Sequence, residues 1–274
     1  MNQAMWSNSS TQSNMEQLRE SAITILQPDA GLQACGETGL GRLMEVPDMV
    51  NAVNSMFDSG TLQGRKVVIT AGPTREAIDP VRYISNHSSG KQGYALAQAA
   101  VEAGAYVELI TGPTQLPVPD RVHVHQVESA QEMHDAVQVT IDDAHIFIGV
   151  AAVADYRPTI TSENKIKKQS DNGLTLQLVQ NPDILRSVAE RVHKPFTVGF
   201  AAETESLMEH AKEKLEKKNL DMIIANNVAN PQIGFNSDDN QTLVLTKAAL
   251  HELPMMSKTE LARKLIALIA EEIG

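Results

Sequence analysis

The sequence predicts an α/β fold, a mostly parallel sheet with helices on both faces, preceded by a small irregular N-terminal segment. Three observations carry this. Short continuous apolar runs, Val67-Val68-Ile69-Thr70 and Ile146-Phe147-Ile148-Gly149-Val150 among them, read as strands buried on both sides. They alternate with stretches of helical periodicity, as βαβ units require. The alternation begins at Lys66 and runs to the end, whereas residues 1–60 lack it. A sheet of this kind is Rossmann-like and takes its ligands at the C-terminal ends of its strands.

The elements follow in order. Residues 15–26 hold a short helical pattern and then an apolar patch, Ala22-Ile23-Thr24-Ile25-Leu26. The stretch 34–42 is glycine-rich. Residues 47–57 fit an amphipathic helix, with Val50, Val53 and Phe57 at helical spacing and Pro47 in the first turn. This is too little to close a core alone, and Asp58-Ser59-Gly60-Thr61 reads as a linker. Strands are expected at 67–70, 106–111, 122–127, 146–150, 196–200, 222–225 and 242–246, with a short one near His251 and an alternating, half-exposed one at 174–179. Helices are expected at 90–103, stopped by Gly104, and at 129–140, 206–219 and 257–273. Ser129 with Glu132, and Ser257 with Glu260, have capping-box spacing. A further helix starts at Asn181-Pro182-Asp183, with Pro at its first helical position.

Hydrophobic residues make up 42% and charged residues 21%, an ordinary globular composition. The formal net charge is −11, which argues against nucleic-acid and anionic-membrane partners. The charge is uneven. Residues 1–60 carry Arg19 and Arg42 against seven acids, while the remainder groups much of its positive charge in two lysine clusters. One cysteine, Cys35, fits a reducing cytoplasm. There is no apolar run of membrane-spanning length and no secretory signal pattern.

Chemistry is sought after the strands. The run after the first strand, 71–91, is long for a βα connection and ends Ser88-Ser89-Gly90 at a helix start. That is either an anion site or an ordinary N-cap, and the local pattern does not separate the two. It is neither a Walker loop nor G-x-G-x-x-G. After 146–150 come Ala151-Ala152-Val153-Ala154-Asp155. These small residues admit a ligand to the backbone, or simply pack tightly. Asp155 could accept from a ligand, hold Mg²⁺ through water, or cap. Lys165-Ile166-Lys167-Lys168 lie in a polar loop. Lys214 and Lys218 lie four apart beside the apolar stripe Leu207, Ala211 and Leu215. They form a triphosphate clamp or a solvated face with intrahelical pairs. His123 and His125 share a strand face without acidic partners at ligand spacing, so a metal site is not indicated.

Six segments occur in order: Thr70-Ala71-Gly72-Pro73-Thr74-Arg75-Glu76, the run 79–91 (DPVRYISNHSSGK), Ala151-Ala152-Val153-Ala154-Asp155-Tyr156, Lys165-Ile166-Lys167-Lys168, Asn181-Pro182-Asp183-Ile184 and Gly199-Phe200-Ala201-Ala202-Glu203-Thr204. Together they resemble the synthetase domain of the bacterial bifunctional phosphopantothenoylcysteine synthetase/decarboxylase family of coenzyme A biosynthesis, over residues 61–274. Residues 1–60 resemble the C-terminal part of the decarboxylase domain. Met1-Asn2-Gln3-Ala4-Met5-Trp6 looks like its substrate-recognition motif. Residues 34–42 look like its active-site flap, with Cys35 as proton donor, although Leu43 stands where the family usually has Met. The flavin-binding segment and its catalytic histidine are not among the 274 residues, so the resemblance assigns FMN to the complete bifunctional protein.

The resemblance implies a ligase that joins 4′-phosphopantothenate and L-cysteine, with CTP and Mg²⁺, through an acyl-cytidylate. It implies nucleotide contacts at Gly149, Val150, Ala151, Asp155, Asn181, Pro182, Asp183, Ile184 and Phe200. Lys165, Lys214 and Lys218 would meet the phosphates, Asn86 the acyl-cytidylate and Arg82 the anionic substrate or intermediate. The loop 157–172 would order over the nucleotide, and a homodimer would form through the synthetase domain. The rival readings are a Rossmann-type oxidoreductase, which lacks its glycine fingerprint here, and a non-catalytic regulatory subunit.

Overall fold

The computed structural model describes residues 1–21, 23–56, 60–167, 173–203, 207–227 and 237–274. Ala22, Phe57, the linker residues Asp58 and Ser59, Lys168 and Thr204, all named above, lie outside the described residues, as does the first residue of the helix expected at 206–219. The chain divides into two units, Met1–Asp58 and Ser59–Gly274.

The first unit is more regular than its sequence suggests. It holds α1 (Gln3–Trp6), α2 (Ser9–Glu20), a hairpin of β1 (Asp29–Leu32) and β2 (Thr38–Arg42), and α3 (Val46–Ser55). The short helical pattern read from residue 15 therefore belongs to a helix that begins six residues earlier. Asn8 caps it by accepting from the Ser10 N–H at 2.9 Å, a start signal that apolar periodicity does not register. The glycine-rich stretch is largely the second strand of the hairpin. Trp6 is the one buried large hydrophobic side chain among this unit's described residues, while Leu32, Leu43 and Val46 are exposed.

The second unit is built on one eight-stranded sheet. Its strands are β3 (Lys66–Ala71), β6 (Tyr106–Thr111), β7 (Val122–Gln126), β8 (Ile146–Gly149), β11 (Phe196–Glu203), β12 (Met222–Asn227), β13 (Asp239–Thr246) and β14 (Leu250–Ser257). The spatial order is β14-β13-β12-β11-β8-β3-β6-β7. The six strands from β7 to β12 are mutually parallel, and β13 and β14 close one edge antiparallel. Taken in chain order, the parallel strands lie 3-2-1-4-5-6, the arrangement of dinucleotide-binding sheets.

Strand periodicity sorts the core into layers. From β3, Val67 and Ile69 pack with α4 (Lys91–Glu102) and α8 (Lys258–Ile273), while Val68 joins α5 (Ala130–Thr140) and α6 (Ile184–Ala189) on the other face. Ala211 and Leu215 of α7 (Leu207–Lys217) are buried with Ile223 and Ala225 of β12. Two small hairpins stand apart from the main sheet, β4 (Arg75–Ala77) with β5 (Tyr83–Ser85) and β9 (Tyr156–Pro158) with β10 (Leu178–Gln180). The strand expected at 174–179 is thus reduced to three exposed residues paired locally. Pro182 does not occupy the first helical position of α6. Asp183 is the cap, accepting from the Arg186 N–H at 3.0 Å, and Pro182 precedes it. No helix among the described residues is long and apolar enough to cross a membrane.

Candidate active site

The strand order reverses between β3 and β8, and ligands of open α/β sheets lie beyond the strand ends at that point. A cleft of about 970 Å³ opens there. That is at the upper end of the size usual for small-molecule sites, about 300–1,000 Å³.

One wall is Gly72, residues 86–90 and the start of α4. The segment after β3 is tied to the segment after β8. The Ala152 N–H donates to the Gly72 carbonyl at 2.9 Å, the Ala154 N–H to Thr74 Oγ1 at 3.0 Å, and Asn86 Nδ2 to the Val153 carbonyl at 2.9 Å. Gly90 caps α4 in the left-handed region, φ 76°, without a side-chain hydrogen bond. Ser88 Oγ accepts the Gly90 N–H at 3.3 Å, and the first turn of α4 lines the cleft with its positive dipole end. Gly93 brings α4 close to β3, because a Cβ there would lie 2.5 Å from Ala71 Cβ.

The opposite wall is built around α6 and α7. The Asn181 side chain is held at both ends: Nδ2 donates to the Ala154 carbonyl at 2.8 Å and Oδ1 accepts from Arg157 Nη1 at 2.9 Å. Its N–H donates to the Asp155 carbonyl at 2.8 Å. Asn181 thus shapes the wall, and its second N–H and second lone pair remain for a ligand. Asp183 caps α6 with one oxygen and pairs through the other with Lys218 Nζ at 2.9 Å. Lys214, one turn earlier, also lines the cleft. The Asp155 carboxylate is exposed at the rim and has no side-chain partner among the described residues.

A third, polar end was not foreseen. Lys91, Gln92, Asn226, Asn240 and Lys258 meet there from α4, β12, β13 and α8. Both amide atoms of Gln92, and Asn226 Oδ1, are buried without a hydrogen-bond partner among the described residues. Lys91 pairs with Asp238 at 2.6 Å. Burial, then the Lys91 charge, pushes the Lys258 ammonium below its ordinary pKa. The one sequence cue was a polar residue, Asn226, ending an apolar strand; the other partners converge only through sheet order.

The cleft therefore brings together Asn86, Gly149, Val150, Ala151, Asp155, Asn181, Pro182, Asp183, Ile184, Phe200, Lys214 and Lys218. Arg82 and Lys165 are not on its wall. Arg82 binds the buried carboxylate of Asp79 through Nη2 at 2.5 Å and Nε at 3.1 Å, and Lys165 is exposed on the neighbouring segment. Cys35 belongs to the first unit, where it is exposed beside a cavity of about 400 Å³. His125 pairs with Glu108 at 2.6 Å and His123 stacks on Tyr106. No cluster of three metal-ligating side chains occurs among the described residues.

The doubly wound sheet, with a lysine-bearing cleft beyond its strand ends, defines a Rossmann-like α/β protein with its candidate site at the switch point. Residues 62–273 match the DNA/pantothenate metabolism flavoprotein C-terminal domain, and residues 1–58 match the flavoprotein family. The chain is 50% identical to the coenzyme A biosynthesis bifunctional protein CoaBC of Vibrio cholerae, over all of this chain and 69% of that protein. Against the Escherichia coli protein of the same name it is 46% identical, over 97% of this chain and 66% of that one. A crystal structure of the C-terminal domain of a CoaBC protein superposes with a TM-score of 0.67 at 41% identity, covering 78% of this chain and 98% of that one. The chain belongs to this family of bifunctional coenzyme A biosynthesis enzymes.

Proposed function

We propose that this enzyme joins 4′-phosphopantothenate to L-cysteine with CTP as activator, and that the cleft is where it does so. The observation that carries this is the cleft's two-ended polarity. At one end Asp183 holds Lys218 toward the cleft beside Lys214. At the other, Lys91 and Gln92 at the start of α4 meet Lys258 and Asn226, and both Gln92 amide atoms and Asn226 Oδ1 lack partners among the described residues. One cleft with two such ends suits a reaction between two anionic substrates.

A carboxylate is a poor acyl donor. Its oxygen attacks the CTP α-phosphorus, the bond to the β-phosphate oxygen breaks, and pyrophosphate leaves. The cysteine amine then attacks the acyl carbon, loses a proton, and CMP leaves with the carboxylate oxygen. No enzyme nucleophile is needed, so placement and charge neutralisation carry the catalysis. Gly149, Val150, Ala151, Pro182, Ile184 and Phe200 would enclose the nucleoside. Asp155, whose carboxylate has no side-chain partner among the described residues, and the backbone set by Asn181 would read the base edge. Lys214, Lys218 and Lys165 would meet the phosphates, and Arg82 the anionic substrate or intermediate. Mg²⁺ fits as an ion carried in by those phosphates, since hard cations of this kind keep mostly phosphate and water ligands. Asn86, which lines the cleft and donates to the Val153 carbonyl, would hold the acyl-cytidylate.

Residues 1–60 read as a C-terminal portion of the flavin-dependent decarboxylase domain, with Cys35 on its flap. FMN chemistry would need the flavin-binding part of the complete family protein. A homodimer formed through the synthetase domain fits the exposed edge strand β14, and a cytoplasmic location fits the single exposed thiol.

The test is pyrophosphate release with CTP or ATP, with and without cysteine. Release with CTP and phosphopantothenate alone is expected. Asn86→Asp should retain that release and lose product formation on adding cysteine. Equal loss of both steps would remove Asn86 from the trapping role.

A further inference from the structure

We propose that Asp79 is a positioning residue that latches the basic segment 161–167 to the long loop and so fixes where Lys165 stands. Resting on the ligase reading above, this explains how a lysine outside the cleft wall is held ready for the phosphates.

The carboxylate of Asp79 is fully buried, yet five donors converge on it. Oδ1 accepts the backbone N–H groups of Val81 and Arg82 at 2.8 and 2.9 Å, which is local turn work. Oδ2 faces a different part of the chain. It accepts Arg82 Nε and Nη2, and also the Ile166 N–H at 3.1 Å. Arg82 Nη2 in turn donates to the Ile166 carbonyl at 2.8 Å. Both backbone polar groups of Ile166 are therefore held by the one Asp79–Arg82 pair. Asparagine could serve the turn, but its NH₂ would confront three donors at Oδ2. The charge is thus needed for the latch and not for the turn.

The rest of the segment is pinned beside it. The Ser162 N–H donates to the Ile78 carbonyl at 3.0 Å, Thr161 Oγ1 to the Ala77 carbonyl at 3.1 Å, and Ser162 Oγ to the Asn164 carbonyl at 2.7 Å. Lys165 sits between two fixed residues, exposed but not loose. The Arg82 guanidinium, aided by the backbone N–H groups of Ile166, Val81 and Arg82, outweighs burial and keeps the carboxyl well below its usual range.

Asp79→Asn in the full chain tests this by two readouts. Trypsin cleavage after Lys165 and Lys167 should quicken about tenfold, with the melting temperature little changed, because local opening sets the rate. Pyrophosphate release should slow by about tenfold, the scale for losing a hydrogen bond to a charged group. Adding Lys165→Gln to Asp79→Asn should then cost clearly less than Lys165→Gln does alone, since residues acting as a unit are non-additive. If Asp79→Asn fails to fold, Ile166→Pro removes the same N–H while leaving the buried turn intact, and cleavage after Lys167 is then the readout because trypsin does not cut a Lys–Pro bond. Unchanged proteolysis in both variants overturns the latch. Faster proteolysis with additive kinetic losses overturns the positioning role. No pyrophosphate release from the unsubstituted chain overturns the ligase reading itself, and the positioning role with it, even if the proteolytic change is seen.

Discussion

The two lysine clusters serve one proposed task by opposite means. Lys214 and Lys218 stand on α7 and the turn that ends it, beside a buried Ala211 and Leu215, and Lys218 is fixed by an ion pair to the residue that caps α6. They are part of the cleft wall. Lys165 and Lys167 stand on an irregular segment, exposed, and reach their place through a carboxylate on another loop. A helix supplies position through its own hydrogen-bond ladder, whereas a loop must borrow it. Two kinds of defect follow. Damage to the first cluster should resemble weakened nucleotide binding, and damage to the second should resemble a misplaced catalytic charge.

Substitutions can sharpen that contrast. Lys165→Gln carries the largest expected effect, about 2–4 kcal/mol on the first half-reaction, the range for removing a charge-stabilising donor. It should fall mainly on the rate of pyrophosphate release at saturating CTP. Unchanged turnover would break the comparison at its loop side. Lys218→Gln should cost about 1.5–3 kcal/mol, as hydrogen bonds to charged groups do, and appear chiefly as a raised KM for CTP. A fall in kcat with KM constant would place both clusters in one role. Asp183→Ala removes a helix cap as well as the Lys218 partner. A loss of about 1 kcal/mol in folding stability is typical of caps, readable by denaturant unfolding. No change would mean that α6 needs no cap.

The smallest effect expected is that of pH. The Asp79 carboxyl is held below its usual range, first by Arg82. Its contribution to stability is therefore fully present above the ordinary carboxylate pKa and is lost only as pH falls toward the lowered value. Amide-exchange protection of Ile166, corrected for intrinsic rates, should stay level from about pH 8 to about pH 5. A drop within that window would mean that another group holds the segment.

Much of the sheet was legible because its strands are buried on both faces. The strand at 106–111 matches at both ends, and helix 129–140 starts at the Ser129 cap as its spacing implied. The capping box is looser than foreseen, since the Glu132 carboxylate takes the Glu128 N–H, one residue before the cap. Ambiguity arose wherever polar groups had two possible partners. Asn181 and Asp183 are both capping residue types, and only the structure shows that Asn181 is held by Ala154 and Arg157. The β4–β5 hairpin was hidden because Glu76, a buried carboxylate, breaks its alternation. It turns inward to accept the Ala130 N–H at the start of α5. In the site, the lysines of α7 were readable from helical spacing. The polar end at Gln92, Asn226 and Lys258 was not, because nothing local announces a convergence of four elements.

Oxygen-isotope transfer puts the central claim to its most direct test. Phosphopantothenate carrying ¹⁸O in its carboxylate is incubated with CTP, Mg²⁺ and cysteine, and the nucleotide product is weighed. Attack of that carboxylate on the α-phosphorus requires one ¹⁸O in the phosphate of CMP and none in pyrophosphate. Unlabelled CMP, or label in released orthophosphate, would contradict an acyl-cytidylate formed at this cleft.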